Sequence, residues 1–150
     1  MAKERLRLKA TDDEDLEVFA AVLQDAPMPL AEVTHLVEEK RFGALFRRYR
    51  YENGQEQSAE EMQQVECALV FEGVLAAEAW DIGGLGGHGA VELMTIVSEE
   101  IAGGGVQITL VFHGGGHIRL EAEDVKGRLA DIGEPCRAER RPRHAPLFDV

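Results

Sequence analysis

The chain has 150 residues, 45% of them hydrophobic, which suits one core burying roughly 68–70% of the unfolded surface and excludes global disorder. Its formal net charge of -12 opposes nonspecific attachment to nucleic acid or to an anionic membrane. Cys67 and Cys136 offer neither a disulfide framework nor metal-knuckle spacing, which excludes the small disulfide-rich scaffolds.

Residues 1–5 are charged but lack the apolar run of a signal peptide, and no stretch approaches the ~18 apolar residues of a membrane span. A cytoplasmic protein is expected, with no membrane partner. Charge is uneven along the chain. Residues 52–66 carry Glu52, Glu56, Glu60, Glu61 and Glu66 without a Lys or Arg, whereas the tail holds Arg137, Arg140, Arg141 and Arg143.

Leu6 and Leu8 alternate with Arg5, Arg7 and Lys9, the pattern of a short, half-exposed first strand. Thr11 and Glu14 then have capping-box spacing, and Asp12, Asp13 and Asp15 suit the positive end of a helix dipole. Leu16, Phe19, Ala20 and Leu23 follow at i, i+3, i+4 and i+7, so a helix over residues 12–24 is expected to lay this stripe on a sheet. Pro27 and Pro29 stop it.

Residues 33–38 and 42–51 read as a hairpin turning at Glu39 and Lys40, with Val37 facing Phe42, His35 facing Ala44 and Val33 facing Phe46. The acidic stretch 52–64 is too polar for a core strand and is expected to be an exposed loop, with one helical turn over 58–63. Residues 67–72, 74–82, 90–98, 106–113 and 117–122 are further strands, with Trp80 on an inward face beside Val74, Ala76 and Ile82. Residues 124–131 fit a short helix with Val125, Leu129 and Ile132 inward and Gly133 as its cap. These elements predict one α+β domain over residues 1–133, followed by an extended or mobile tail over 134–150. Its frame is a largely antiparallel sheet or a pleckstrin-homology-like barrel, with an N-terminal and a C-terminal helix. That barrel likeness concerns element order alone and carries no function.

Few residues point to chemistry. Gly84-x-Gly86-x-x-Gly89 spells a dinucleotide fingerprint, but the β-branched run after it replaces the helix that would hold a pyrophosphate, so a glycine linker is the better reading. His113 and His117 flank a three-glycine turn and are expected outward as a cross-strand pair ~5 Å apart. Two imidazoles are half a zinc site, and nothing with fixed spacing completes it; His88 lies in the linker, and His35 reads as a hydrogen-bonded core residue. Arg47, Tyr49 and Tyr51 alternate with Arg48 and Arg50, a spacing that suits a stacking platform for bases, but with the net charge a solvated strand beside the acidic loop is the better reading. No nucleophile has a recognisable elbow around it, so no catalytic residue, metal or cofactor is expected.

Leu6-Arg7-Leu8, Asp12 to Leu16, and Leu23-Gln24-Asp25-Ala26 together resemble a proteobacterial family, domain of unknown function 2948. So do Lys40-Arg41-Phe42, Arg48 to Glu52, and Ile118-Arg119-Leu120-Glu121, and the likeness spans most of residues 5–133. Where that family commonly runs Asn-Arg-Phe-x-Trp-Glu, this chain has Arg47-Arg48-Tyr49-Arg50-Tyr51-Glu52. The resemblance implies a bacterial cytosolic protein and transfers no activity. The function expected from the residues is a non-catalytic module that binds a protein partner through a sheet face or edge, as monomer or homodimer. Arg47, Tyr49, Tyr51, His113, His117 and Arg119 are its candidate surface. A small-ligand protein or enzyme built from dispersed residues such as His35, Arg48 or His113 is the alternative. A domain binding RNA through residues 47–51 is a third, although the net charge predicts no nucleic-acid partner.

Overall fold

In the computed structural model, which describes residues 5–50, 62–82 and 89–137, Leu8 and Ala10 of strand β1 (Arg7–Ala10) turn inward while Arg7 and Lys9 face solvent. Helix α1 (Asp13–Val22) follows directly. Its cap is Asp12, one residue later than the Thr11 expected. Asp12 Oδ1 accepts from Asp15 N at 2.8 Å, and Asp15 Oδ2 accepts in return from Thr11 N at 2.9 Å. An ionised carboxylate accepts more strongly than a hydroxyl, which accounts for the shift. Leu16, Phe19, Ala20 and Leu23 are all buried, as their spacing predicts. The helix start is tied down by Asp13, whose Oδ1 accepts from Ser98 N and Ser98 Oγ.

The chain then continues through β2 (Pro27–Pro29), a 3-10 turn (Leu30–Glu32), β3 (Thr34–Leu36), β4 (Arg41–Tyr49) and β5 (Gln63–Glu72). After these come β6 (Val74–Trp80), β7 (Ala90–Glu100), β8 (Val106–Phe112), β9 (His117–Ala122), β10 (Gly127–Asp131) and β11 (Cys136–Arg137). Among the described residues the fold is mostly antiparallel sheet with one α-helix. One sheet has the order β1-β10-β5-β4-β3, with β11 beside the start of β5; the other has the order β2-β7-β8-β9-β6. β2 can contain two prolines because it lies at a sheet edge, where a missing N–H breaks no ladder.

The sheets meet at a shared bend. Only Gly73, at φ +73°, separates β5 in the first sheet from β6 in the second. The antiparallel neighbour makes the same passage from β9 to β10, and the two bends are bonded together. Glu123 N donates to Gly73 O, and Glu72 N donates to Lys126 O, each at 2.9 Å. Strands that switch sheets in this way curl the whole into a half-barrel around one apolar core, and α1 packs against β7 and β1 over it.

Four expectations change. Residues 124–131 form no C-terminal helix: Val125, Gly127, Leu129 and Asp131 are buried in alternation, and β10 pairs with both β1 and β5. The pleckstrin-homology likeness loses its closing helix with it. The β3–β4 turn spans residues 37–40, so His35 faces Phe42 rather than Ala44; the shift is two residues, and Val37, expected inward opposite Phe42, falls in the turn and is exposed, while Val33, Phe42, Ala44 and Phe46 stay buried. Gln63 belongs to β5 rather than to a helical turn, while residues 51–61 lie outside the described part. A bulge between Val74 and Ala76 flips the end of β6, which moves Trp80 from the inward to the outward face.

Candidate functional site

The outward face of the second sheet assembles from the pairing registers. Trp80 lies opposite His117, which lies opposite Val111, which lies opposite Thr95. The next row is Glu78, Arg119, Thr109 and Val97, and the third is Ala76, Glu121, Gln107 and Glu99. All of these side chains are exposed or half-buried, whereas the alternating set, including Ile118, Leu110 and Ile96, is in the core. The Trp80 and His117 rings stack with centroids 4.9 Å apart and planes 20° from parallel. Arg119 Cζ lies 4.7 Å from the Trp80 ring centre, within cation–π range. The result is a rigid aromatic patch with Glu78, Glu121 and Glu99 beside it.

His117 and Arg119 therefore share one surface, as the sequence suggests, but His113 leaves it. The turn after β8 begins one residue earlier than expected, at His113, with Phe112 opposite Gly116 and Val111 rather than His113 opposite His117. His113 instead turns to α1, where its Nε2 donates to Asp25 Oδ1 at 2.8 Å. Asp25 is fully buried, at φ +61°, and also accepts from Gln24 Nε2. This pair anchors the end of the helix to the β8–β9 turn. The cross-strand imidazole pair expected at this turn is thus split, and no group of three His, Cys, Asp or Glu among the described residues stands ready to hold a metal.

The Arg-Tyr strand also divides. Arg47 is exposed on the outer face of the first sheet, but Tyr49 is 1% exposed and Arg48 likewise 1%. Arg48 follows Phe42, Ala44 and Phe46 on the inward side of β4 and grips Asp131 of β10 in a bidentate pair, Nε to Oδ1 and Nη2 to Oδ2, both 2.8 Å. Tyr51 lies outside the described residues, as do His88, Gly84 and Gly86. A base-stacking platform on residues 47–51 needs exposed rings, and Tyr49 offers none. Gly89 leads directly into β7, so a strand stands where a dinucleotide site would need a helix. His35 is half-buried, with Nε2 3.4 Å from Val74 O.

Residues that sequence reasoning passed over carry the strongest interactions. Asp131 reads as a helix end in sequence, yet it accepts both Arg48 bonds and one from Leu6 N at 2.9 Å. Burial alone raises its carboxyl, but the Arg48 hydrogen bonds, the Leu6 amide and the Arg48 charge together hold it below the ordinary value. The signal available was an Arg and an Asp each occupying a core position of an apolar alternation. Cys67, between them on β5, has its thiol pushed up to about 12 by burial and by the Asp131 charge.

No helix among the described residues is long and apolar enough to cross a membrane. No curated protein matches the chain, and no solved structure does. The model of one family, described as a protein of unknown function (DUF2948), matches residues 6–144, and the chain belongs to that family.

Proposed function

We propose that this chain is a non-catalytic protein-interaction module of the bacterial cytosol, which binds a basic segment of a partner protein on the outward face of the second sheet. The observation that carries this reading is the Trp80–His117–Arg119 stack among Glu78, Glu121 and Glu99. A rigid, partly exposed Trp offers large apolar contact at little entropic cost, and Trp and Arg are the residues on which interface energy concentrates. The neighbouring carboxylates complement Lys or Arg from a partner, and a chain of net charge -12 steers such a segment toward itself. The same carboxylates repel phosphate, which argues against nucleic acid on this face.

Trp80 is the single tryptophan, so intrinsic fluorescence reports on this face directly. Titration with an unstructured Lys/Arg-rich peptide is expected to give a saturable change with Kd below ~100 μM at physiological salt. Glu78→Lys with Glu121→Lys should weaken it at least ~10-fold, and a Glu-rich peptide should give no response. An equal response in the charge-reversed variant overturns the reading. By the same logic, RNA and single-stranded DNA should bind no tighter than ~10 μM in anisotropy across a salt series. Submicromolar binding lost in Arg47→Ala would place nucleic acid first.

A further inference from the structure

The outer face of the first sheet has a groove that the interaction reading does not use. β10 pairs with residues 67–71 of β5, and β11 pairs with Gln63 and Gln64. Residues 132–135 therefore span a stretch of β5 containing only Val65 and Glu66, and the surplus chain bows outward. The space this leaves is a groove of about 380 Å³, with Gln64, Val65 and Glu66 as its floor. Arg47 of β4 forms one wall and Gly133, Glu134 and Cys136 form the other. Its size lies within the range of small-molecule sites.

The polar groups in it are not satisfied by one another. Gln64 is 7% exposed, and its Nε2 donates to Arg47 O at 3.2 Å, which fixes the amide orientation. Its Oε1 then accepts from no donor among the described residues, an arrangement that costs free energy unless a ligand or water supplies the proton. Arg47 and Glu66 are direct register partners of opposite charge, yet among the described residues they form no ion pair with each other or with any other group. Glu134 is already paired with Arg5 at 3.2 Å. The groove thus presents one free cation, one free anion and one buried acceptor.

We infer that this groove binds a free α-amino acid or a closely similar small zwitterion. Its carboxylate would take the Arg47 guanidinium, and its ammonium would donate to Glu66 and to Gln64 Oε1. A simple anion leaves Glu66 facing a like charge, and a simple cation leaves Arg47 so. Only a small molecule carrying both charges close together pairs with Arg47 and Glu66 at once.

Cys136 gives the test its readout. It is the exposed cysteine, while Cys67 is buried with its thiol pushed up to about 12, so a maleimide labels Cys136 alone. The standard L-amino acids other than cysteine, whose thiol would itself consume the maleimide, are each added at ~10 mM, a concentration that saturates a site with Kd near ~1 mM. At least one should slow labelling several-fold and produce saturable amide shifts at residues 64–66 and 133–136 in NMR. The des-amino acid and the decarboxylated amine of that compound should each bind at least ~10-fold more weakly. Arg47→Gln, which removes the charge from an exposed side chain, and Gly133→Val, which fills the groove, should both abolish protection with an unchanged melting temperature. A Cβ at Gly133 meets only Glu66 at ordinary contact distance, 3.6 Å, so the second variant folds. Absence of protection by every amino acid overturns the inference, as does full protection in Arg47→Gln or equal binding of the des-amino acid. Trp80 fluorescence stays constant throughout, which separates this site from the other sheet.

Discussion

Asp131→Ala is expected to destabilise the protein by about 3–5 kcal/mol, because it removes the carboxylate that compensates the buried Arg48 charge inside the half-barrel. It also removes the acceptor for Leu6 N. Denaturant unfolding with an unchanged m-value is the measurement. Arg48→Met together with Asp131→Leu should recover most of the loss, since an apolar pair of similar volume needs no desolvation of charge. A loss below ~0.5 kcal/mol in Asp131→Ala would show that the pair is solvated. The pH dependence has a definite sign. Asp131 is held below the ordinary carboxyl value in the folded chain, so its contribution is fully present above ~3.9, its value when unfolded, and fades as pH falls through the lowered folded value. The stability gap between the wild type and Asp131→Asn should therefore be flat from neutral pH down to about 4 and close below it.

Leu16→Ala should cost about 2–5 kcal/mol, the range for truncating a fully buried leucine where the surroundings relax only in part. Leu16 shares the helix stripe with Phe19 and Leu23, each fully buried in the core, and Asp13 bonded to Ser98 limits how far α1 can settle into the cavity. Val18→Ala, half-exposed on the opposite side of the same helix, should change stability by less than ~0.5 kcal/mol. Equal costs at the two positions would contradict the orientation of the helix.

The helix was legible because its cap and its apolar stripe agree, and both are local. The false helix at residues 124–131 shows the opposite case. Val125, Leu129 and Ile132 fit a helical period, but Val125, Gly127, Leu129 and Asp131 fit a strand period equally well, and pairing with β5 decides between them. Gly127 was the discordant residue: a Cβ there would lie 2.8 Å from Phe71 Cε1, so glycine serves close sheet packing against an aromatic ring. Strand positions were legible from alternation, whereas registers were not. A shift of the β8–β9 turn by one residue separated His113 from His117, and one bulge carried Trp80 to the surface, where it joins His117 and Arg119. The site was thus half visible, as the pair on β9, and lacked its aromatic centre. The Arg48–Asp131 pair joins residues far apart in the chain, which no local pattern encodes.

The pairing of β1 with β10 brings residues 7–10 against residues 127–130, so the first strand finds its partner only when nearly the whole described chain exists. Asp131 exchanges bonds with Leu6 at the same seam, and Arg5 reaches Glu134 just beyond it. During synthesis at the ribosome, β1 must therefore wait for β10, and the apolar stripe of α1 for β7, before either is covered. Closing so long a loop is entropically costly, which makes this seam a late event in folding and places the domain among slow, non-locally paired folders. The acidic surface of the chain then has a second use, as mutual repulsion that keeps such waiting chains apart.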